Sequence, residues 1–206
     1  MLPKISKEEV NQLPVEHFSG EIVVVDTAKS ADQAIAYLLT QSVVGFDTET
    51  RPSFKRGKSN KVALLQLATE DKCFLFRLNK IGLTASIARF FASEKIKKIA
   101  LSSKDDFAAL NKRRVIAQKN VFEIQQVIGN YGIEELSLQK IYAILFGKKI
   151  TKSQRLSNWE ADQLDLKQQL YAATDAWATL RIYLRLLEIE EQLKRDYHLD
   201  INSTEK

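Results

Sequence analysis

Apolar and polar residues follow two different periods along the chain. Short apolar runs are typical of buried strands, and longer stretches with an apolar residue at every third or fourth position are typical of helices. The strand-like runs lie at residues 21–26, 43–46, 62–67, 73–76, 96–101 and 120–125. The helix-like stretches lie at residues 28–40, 84–93, 105–113, 136–146 and 165 to about 194, the last with one break allowed.

The order of these elements predicts an α/β domain. Residues 69–72 form a polar turn, so the strands on either side of it are expected to pair as an antiparallel hairpin. The other strands alternate with helices, which is typical of parallel pairing. Together they predict a mixed sheet of five strands or slightly more, with helices on both faces.

The sequence gives no sign of a second domain. No repeat, low-complexity tract or Pro/Gly-rich linker divides it. We therefore expect residues 1–206 to form one domain, with a core at about 20–190 and peripheral segments at 1–20 and 195–206. Length and composition agree, because 206 residues with 45% hydrophobic and 28% charged residues suit one soluble domain with a sizeable core.

Composition and the N-terminal sequence also predict where in the cell the protein is found. Cys73 is the single cysteine, so an intramolecular disulfide is excluded and a core role is expected for it. No apolar stretch approaches the ~18 residues of a membrane span. The N-terminus lacks the apolar centre of a signal peptide. The expectation is a cytoplasmic chain with no membrane partner.

Positive charge is concentrated in two places. The net charge is +5 and the pI about 9.2, which is compatible with a polyanionic partner such as nucleic acid. One cluster follows the strand at 43–46, and the other precedes the last helix. Their members are Arg51, Lys55, Arg56, Lys58 and Lys61 in the first, and Lys148, Lys149, Lys152 and Arg155 in the second. A solvated surface explains such runs equally simply.

Asp47 and Glu49 are the most informative pair of acidic residues. They lie two positions apart at the end of an apolar strand, so both side chains point to the same face. Two carboxylates so close repel each other, and burial makes their charges costly. A divalent cation would hold both ionised. The alternative is that Asp47 caps a turn and Glu49 is a solvated strand end.

Two further segments carry candidate ligands. Tyr171 and Asp175 are four apart in a helical pattern, hence neighbours on one helix face, although a local hydrogen bond would also explain them. Asp105 and Asp106 follow the strand at 96–101, where an acidic residue could simply cap the next helix. Asp106 is the preferred ligand, and Asp105 stays open as the alternative.

The three segments, in this order, resemble the DEDD superfamily of 3′–5′ exonucleases, in the branch whose third motif carries a tyrosine. The motifs are Phe46-Asp47-Thr48-Glu49, the segment 104–110 around Asp106, and Leu170-Tyr171-Ala172-Ala173-Thr174-Asp175-Ala176. Flanking segments extend the resemblance to the exonuclease domain of the Werner syndrome helicase, and more distantly to ribonuclease D. They are Arg56-Gly57-Lys58, Lys61 to Leu67, and Ser157-Asn158-Trp159. The segment before Asp106 departs from the family, since it lacks the glycine often found there.

The resemblance implies a ribonuclease H-like fold and a metal-dependent 3′–5′ exonuclease that releases nucleoside 5′-monophosphates. It implies two divalent ions, Mg²⁺ or Mn²⁺, in a two-metal mechanism. Asp47, Glu49 and Asp175 would bind the ion near the nucleophile, with Asp47 bridging to a second ion on which Asp106 acts. Tyr171 would orient the attacking water or relay its proton, since a phenol with an ordinary pKa of about 10 is a poor base at neutral pH.

The resemblance also suggests partners. The expected partner is a nucleic acid with a 3′ end, DNA favoured over RNA, whose phosphates could contact Arg56, Lys58, Lys152 and Arg155. No helicase motif is present in the sequence, so any helicase would be a separate partner. Trp159 is expected to be a packing residue, and Tyr142, Phe146 and Trp177 are expected to be core residues.

Two alternatives stay open. One is an RNA-trimming enzyme like ribonuclease D, although residues 188–206 are too short for the helical RNA-binding domains of that enzyme. The other is a non-catalytic nucleic-acid-binding module on the same fold, against which the intact set of acidic residues and Tyr171 argues.

Overall fold

The computed structural model describes residues 2–53 and 60–204, with side chains described as far as residue 196. Over these residues six strands form one sheet, with the order β1-β4-β3-β2-β5-β6. The strands are β1 (Glu21–Val25), β2 (Val43–Thr50), β3 (Val62–Ala68), β4 (Lys72–Phe76), β5 (Lys97–Ala100) and β6 (Val121–Glu123).

The helices connect these strands and cover both faces of the sheet. They are α1 (Lys7–Gln12), α2 (Ala28–Leu38), α3 (Leu78–Ile81), α4 (Ala85–Ala92), α5 (Ser103–Asn111), α6 (Ile124–Val127), α7 (Leu138–Phe146) and α8 (Leu166–Thr204). A 3₁₀ helix, Ile128–Tyr131, follows α6.

The sheet is mixed, as expected. β2, β3 and β4 are antiparallel neighbours, which confirms the hairpin between β3 and β4. β1 is parallel to β4, β5 to β2 and β6 to β5. β5 pairs with β2 only as far as Gly45, whose partner is Ile99, so the later part of β2 has no strand partner on that side among the described residues.

Each face of the sheet buries its own hydrophobic layer. On one face β2 contributes Phe46, whose ring packs edge-on against Phe91 of α4 at 5.5 Å and near Phe107 of α5. On the other face, α7 and α8 pack over the sheet, and Trp177 of α8 is among the buried residues there. Cys73 is fully buried in the same layer, as expected.

α8 approaches β2 closely at Gly45. A Cβ atom at this position would lie 2.3 Å from the carbonyl oxygen of Ala176 and 2.9 Å from Cβ of Leu180. Such distances do not occur between real atoms, so only glycine permits this separation of helix and strand. Residues 171–175 of α8 are thereby held next to the end of β2.

Two elements differ from the expectation. α8 is continuous to Thr204, without the break that the pattern allowed. Two reciprocal hydrogen bonds fix its start. The backbone N–H of Gln168 donates to the carboxylate of Asp165 at 2.8 Å, and the backbone N–H of Asp165 donates to the side-chain oxygen of Gln168 at 3.1 Å. The strand expected at 120–125 ends at Glu123, where α6 begins.

The first 20 residues also differ from a merely polar entry segment. They contain α1, which begins with a capping box between Ser6 and Glu9. Phe18 is only 2% exposed and packs against Trp177.

Among the described helices, none is both long and apolar enough to cross a membrane.

Candidate active site

Carboxylates from two elements converge at the end of β2. Alternation along the strand places Phe46 and Thr48 on one face and Asp47 and Glu49 on the other, where α8 packs. Carboxylate oxygens of Asp47, Glu49 and Asp175 all lie within 4.8 Å of one another. The structure therefore brings together three of the four acidic residues that the sequence singled out.

α8 supplies Asp175 and Tyr171 from the same face, as their spacing predicted. Tyr171 and Asp175 line the same pocket. The Tyr171 ring is 7% exposed and packs against Trp159, with ring centroids 6.0 Å apart. Trp159 is fully buried, which agrees with its expected packing role.

Burial and mutual repulsion make the carboxylates costly to ionise. Burial raises the pKa of Asp47 to about 6. Burial, together with the charges of Asp47, Asp175 and Asp106, raises the pKa of Glu49 to about 10. Burial and the charge of Asp47 also raise the pKa of Asp175 well above its ordinary value. Without a bound cation, the cluster therefore holds protons at neutral pH.

Tyr171 keeps its proton over the same range. Burial, and then the charges of Asp175 and Glu49, raise the pKa of its phenol above the ordinary value of 10.0. The group can donate a hydrogen bond at neutral pH, but it is a still weaker base than a free tyrosine.

Asp106 lies beside this cluster, outside the group of three. It occupies the first turn of α5, and its Oδ1 accepts a hydrogen bond of 2.5 Å from the hydroxyl of Thr48. Burial and the charge of Asp47 raise the pKa of Asp106 to about 8, which indicates that the two carboxylates are close enough to repel. Asp105 is exposed and accepts a 3.3 Å hydrogen bond from Ser102.

Neither aspartate is the N-cap of α5, which is Ser102, a residue with a left-handed backbone (φ 69°) and no capping hydrogen bond from its side chain. Instead, the carboxylate of Glu123 accepts hydrogen bonds from the backbone N–H groups of Ser102 and Ser103, at 2.8 and 2.6 Å. Sequence reasoning missed Glu123, because a cap supplied by a residue about twenty positions away leaves no local signal.

Two predicted basic residues lie near the carboxylates. Lys152 and Arg155 line a pocket of about 160 Å³ together with Asp47, Tyr171 and Asp175. The positive charge of Arg155 partly offsets the raised pKa of Glu49, and Lys152 does the same for Asp175. Arg56 and Lys58, the other two predicted contacts, lie outside the described residues.

The donor set fits a hard divalent cation. It consists of carboxylate oxygens only, and such ligands suit Mg²⁺ or Mn²⁺. None of the ion pairs between described residues includes Asp47, Glu49 or Asp175. Within the described part of the chain, no cation in direct contact neutralises the negative charge of the cluster.

Gln66 is a further buried polar residue next to the cluster. It is the register partner of Asp47 on β3, and neither polar atom of its fully buried amide has a hydrogen-bond partner within the described residues. A buried unpaired amide costs about 1–3 kcal/mol, so a polar occupant at this end of the sheet would be favourable.

A mixed sheet covered by helices, with carboxylates gathered from β2 and α8, defines the class of ribonuclease H-like exonuclease domains. A family model described as 3′–5′ exonuclease matches residues 22–190. The chain therefore belongs to the 3′–5′ exonuclease family.

Individual relatives support this assignment. The chain is 31% identical over 186 residues to the bifunctional 3′–5′ exonuclease/ATP-dependent helicase WRN of Mus musculus. The aligned region covers 85% of this chain but only 13% of the mouse protein. It is 28% identical over 205 residues to a 3′–5′ exonuclease of Arabidopsis thaliana, covering 91% of this chain and 70% of the relative. This chain thus spans a small part of the mouse protein and most of the plant one.

Solved structures share the fold. The Nibbler EXO domain of Aedes aegypti superposes with a TM-score of 0.76 at 25% identity, covering 88% of this chain and 94% of that one. Ribonuclease D of Escherichia coli, an exoribonuclease involved in structured RNA processing, gives a TM-score of 0.75 at 18% identity, covering 84% of this chain and 46% of that one.

Proposed function

We propose that this chain removes nucleotides from the 3′ end of a nucleic acid, with DNA as the favoured substrate, by a two-metal-ion mechanism. The observation that carries the proposal is the convergence of Asp47, Glu49 and Asp175 within 4.8 Å, next to Tyr171. Three carboxylates with raised pKa values are unfavourable for folding unless a ligand uses them, which is typical of functional sites.

The acidic residues would hold two ions, Mg²⁺ or Mn²⁺. Asp47, Glu49 and Asp175 would hold one, and Asp47 and Asp106 would hold the second. When bound, such ions supply an acidified water and stabilise the leaving 3′ oxygen. Thr48 fixes one oxygen of Asp106 and leaves the other oxygen to accept further contacts.

Tyr171 would orient the attacking water. Its phenol is protonated at neutral pH, so its role would be that of a hydrogen-bond donor rather than a base. Lys152 and Arg155, on the rim of the same pocket, would contact the phosphate next to the scissile bond. Contacts from Arg56 and Lys58 stay predictions.

DNA is favoured because the relatives include an exonuclease joined to a helicase. RNA is the second candidate, favoured by the structural likeness to ribonuclease D, which acts on RNA. Release of nucleotides from matched DNA and RNA duplexes with recessed 3′ ends would separate the two. Faster release from RNA would overturn the DNA preference and leave the exonuclease assignment in place. A separate helicase partner and a cytoplasmic location stay predictions.

A nuclease assay tests the proposed chemistry itself. Wild-type protein is expected to release nucleoside 5′-monophosphates from a 3′-recessed duplex in Mg²⁺ or Mn²⁺, and none in EDTA. Asp175→Asn should abolish release, whereas Lys29→Gln, an exposed residue on α2, should release at the wild-type rate. Wild-type protein that binds the duplex but releases nothing with either metal would favour the non-catalytic module.

A further inference from the structure

A second, basic pocket adjoins the acidic one. Its volume is about 380 Å³, and it shares Gln139, Thr151 and Lys152 with the pocket that contains Asp47 and Asp175. Four lysines line it, and among the described residues no Asp or Glu does: Lys7, Lys140, Lys149 and Lys152. A cavity lined by positive side chains is suited to an anion.

The lysines come from separate elements that the fold holds together. Lys7 begins α1, Lys140 lies in α7, and Lys149 and Lys152 belong to the segment that follows α7. α1 is anchored by Val10, which is buried against Ala143 of α7. The pocket is therefore built by tertiary packing and is not simply a run of basic residues in the sequence.

Hydrogen bonds fix the segment with Lys149 and Lys152. Gln139 donates from its side-chain amide to the carbonyl oxygen of Ile150 at 2.6 Å. The backbone N–H of Glu16 donates to the carbonyl oxygen of Lys149 at 2.8 Å, and the ammonium of Lys149 donates to the carbonyl oxygen of Asn11. Lysines on a fixed backbone lose less freedom when they bind a ligand than lysines on a free loop.

Part of the positive charge is available for a ligand. Lys140 forms an ion pair with Glu135 at 2.8 Å, so its charge is largely compensated. Lys7 and Lys152 form no ion pair with another described residue, and the contact of Lys149 is to a neutral carbonyl. Lys7 and Lys149 are thus uncompensated by described acidic residues, and Lys152 lies between this space and Asp175 of the acid site.

The size of the acidic pocket explains why a second surface is needed. At about 160 Å³ it is smaller than the ~300–1,000 Å³ of a typical ligand site, so it can receive only the terminal part of a polynucleotide. The remaining strand carries one negative charge per nucleotide, and it must continue over a surface that does not repel it.

We propose that the lysine pocket, defined by Lys7, Lys140, Lys149 and Lys152, binds phosphates of the substrate strand upstream of the scissile bond. This inference rests on the proposed function, because it gives the strand a path from the acid site over Thr151 and Lys152 towards α1. The contacts are to the phosphate backbone, so they position the strand without reading its sequence.

Binding of single-stranded oligonucleotides in EDTA tests this path without hydrolysis. Fluorescence anisotropy would compare a ten-nucleotide strand with a dinucleotide, at several salt concentrations. The double variant Lys7→Gln/Lys149→Gln is expected to bind the longer strand at least about fivefold more weakly. It should also lower the slope of log affinity against log salt by about 1.4, since each contact to a single strand contributes about 0.7. Lys29→Gln, on the opposite face of the sheet, is the matched control and should behave as wild type.

Unchanged affinity and salt slope in the double variant would overturn the proposal. If the double variant melts at a lower temperature than wild type, Lys7→Glu replaces it, because the Lys7 side chain is exposed and reverses charge without loss of a packed contact. The same loss with the dinucleotide as with the longer strand would also contradict an upstream site. The exonuclease proposal is tested separately by the nuclease assay, and it fails if wild-type protein releases no nucleotide in Mg²⁺ or Mn²⁺.

Discussion

The hydroxyl of Thr48 on β2 donates a 2.5 Å hydrogen bond to Oδ1 of Asp106 in the first turn of α5. This contact joins the strand that carries Asp47 and Glu49 to the helix that carries the fourth acidic residue. Since Thr48 points to the opposite face from its two acidic neighbours, Asp106 approaches the site around the end of the strand.

Thr48→Val removes this hydrogen bond but keeps the shape and β-branching of the side chain. A hydrogen bond to a charged group contributes about 1.5–3 kcal/mol, so kcat/KM for nucleotide release should fall about 10- to 100-fold. Thr48→Ser keeps the hydroxyl and should retain most of the activity. Wild-type kcat/KM in the valine variant would show that Asp106 does not depend on Thr48.

Tyr171→Phe removes the phenolic hydroxyl from the acid site. We expect kcat to fall by at least about tenfold while KM changes by less than about twofold, because the hydroxyl orients water rather than substrate. Tyr142→Phe is the matched control, since that hydroxyl is bonded to Glu16 at 2.5 Å, away from the carboxylates. Steady-state kinetics distinguishes the two. An unchanged kcat in the Tyr171 variant would exclude the proposed role.

The metal-free protein should lose stability as pH rises. The pKa of Glu49 is raised from 4.5 to about 10 and that of Asp106 from 3.8 to about 8, so between these limits the folded state holds protons that the unfolded chain releases. Stability contributed by the protonated groups is present at low pH and is lost as pH rises through this window. The melting temperature in EDTA should therefore be lower at pH 8 than at pH 5.

Mg²⁺ or Mn²⁺ should reverse this loss, and more strongly at pH 8, because binding to ionised carboxylates favours the folded state. Asp175→Asn removes a buried carboxyl group whose ionisation the folded state disfavours, so it should raise the metal-free melting temperature at pH 8 while reducing the effect of metal. A lower metal-free melting temperature in this variant would contradict the electrostatic account of the cluster.

Glu123→Ala leaves the N–H groups of Ser102, the N-cap, and Ser103, the first residue of α5, without their acceptor, and it also removes the side-chain cap of α6. We expect a loss of about 1–3 kcal/mol in the free energy of unfolding, together with lower kcat, because α5 positions Asp106. Glu94→Ala is the control: Glu94 is exposed and forms an ion pair with Lys119 at 3.3 Å, which is worth less than about 1 kcal/mol. Denaturant unfolding measures both variants. Equal effects of the two substitutions would argue against the cap.

Gly45→Ala places a methyl group only 2.3 Å from the carbonyl oxygen of Ala176. Overpacking of this kind costs about 1–3 kcal/mol, and here it also moves α8 away from β2, so both stability and nucleotide release should fall. Gly129→Ala, where a Cβ would meet no atom within 4 Å, should change neither. Thermal melts and the nuclease assay together test this. A stable, fully active Gly45 variant would mean that the separation of helix and strand is not limiting.

The sequence predicted what depends on local periodicity. Asp47 and Glu49 could be placed on one strand face, and Tyr171 and Asp175 on one helix face, because these spacings depend on the period of one element alone. The hairpin of β3 and β4 followed in the same way from its turn. The mixed α/β architecture is also confirmed, because it was predicted from the order of elements that each show their own period.

Contacts between elements distant in the sequence could not be predicted in this way. The bond from Thr48 to Asp106, the cap supplied by Glu123 and the approach of α8 to Gly45 each need the tertiary arrangement. α1 escaped notice because its short helix buries only Val10, too little for a visible apolar period. For the same reason Lys7 was not recognised as a neighbour of Lys149.

The early end of β5 has a consequence for access to the site. Beyond Gly45 no described strand lies beside β2 on that side, so an interior strand has an open flank for its last residues. There the side chain of Asp106, in the first turn of α5, accepts the hydrogen bond from Thr48. Two more residues of β5 would add a ladder of main-chain hydrogen bonds there and close the flank. Under the proposed function, the place where β5 stops would help to determine how a substrate end reaches the acidic residues.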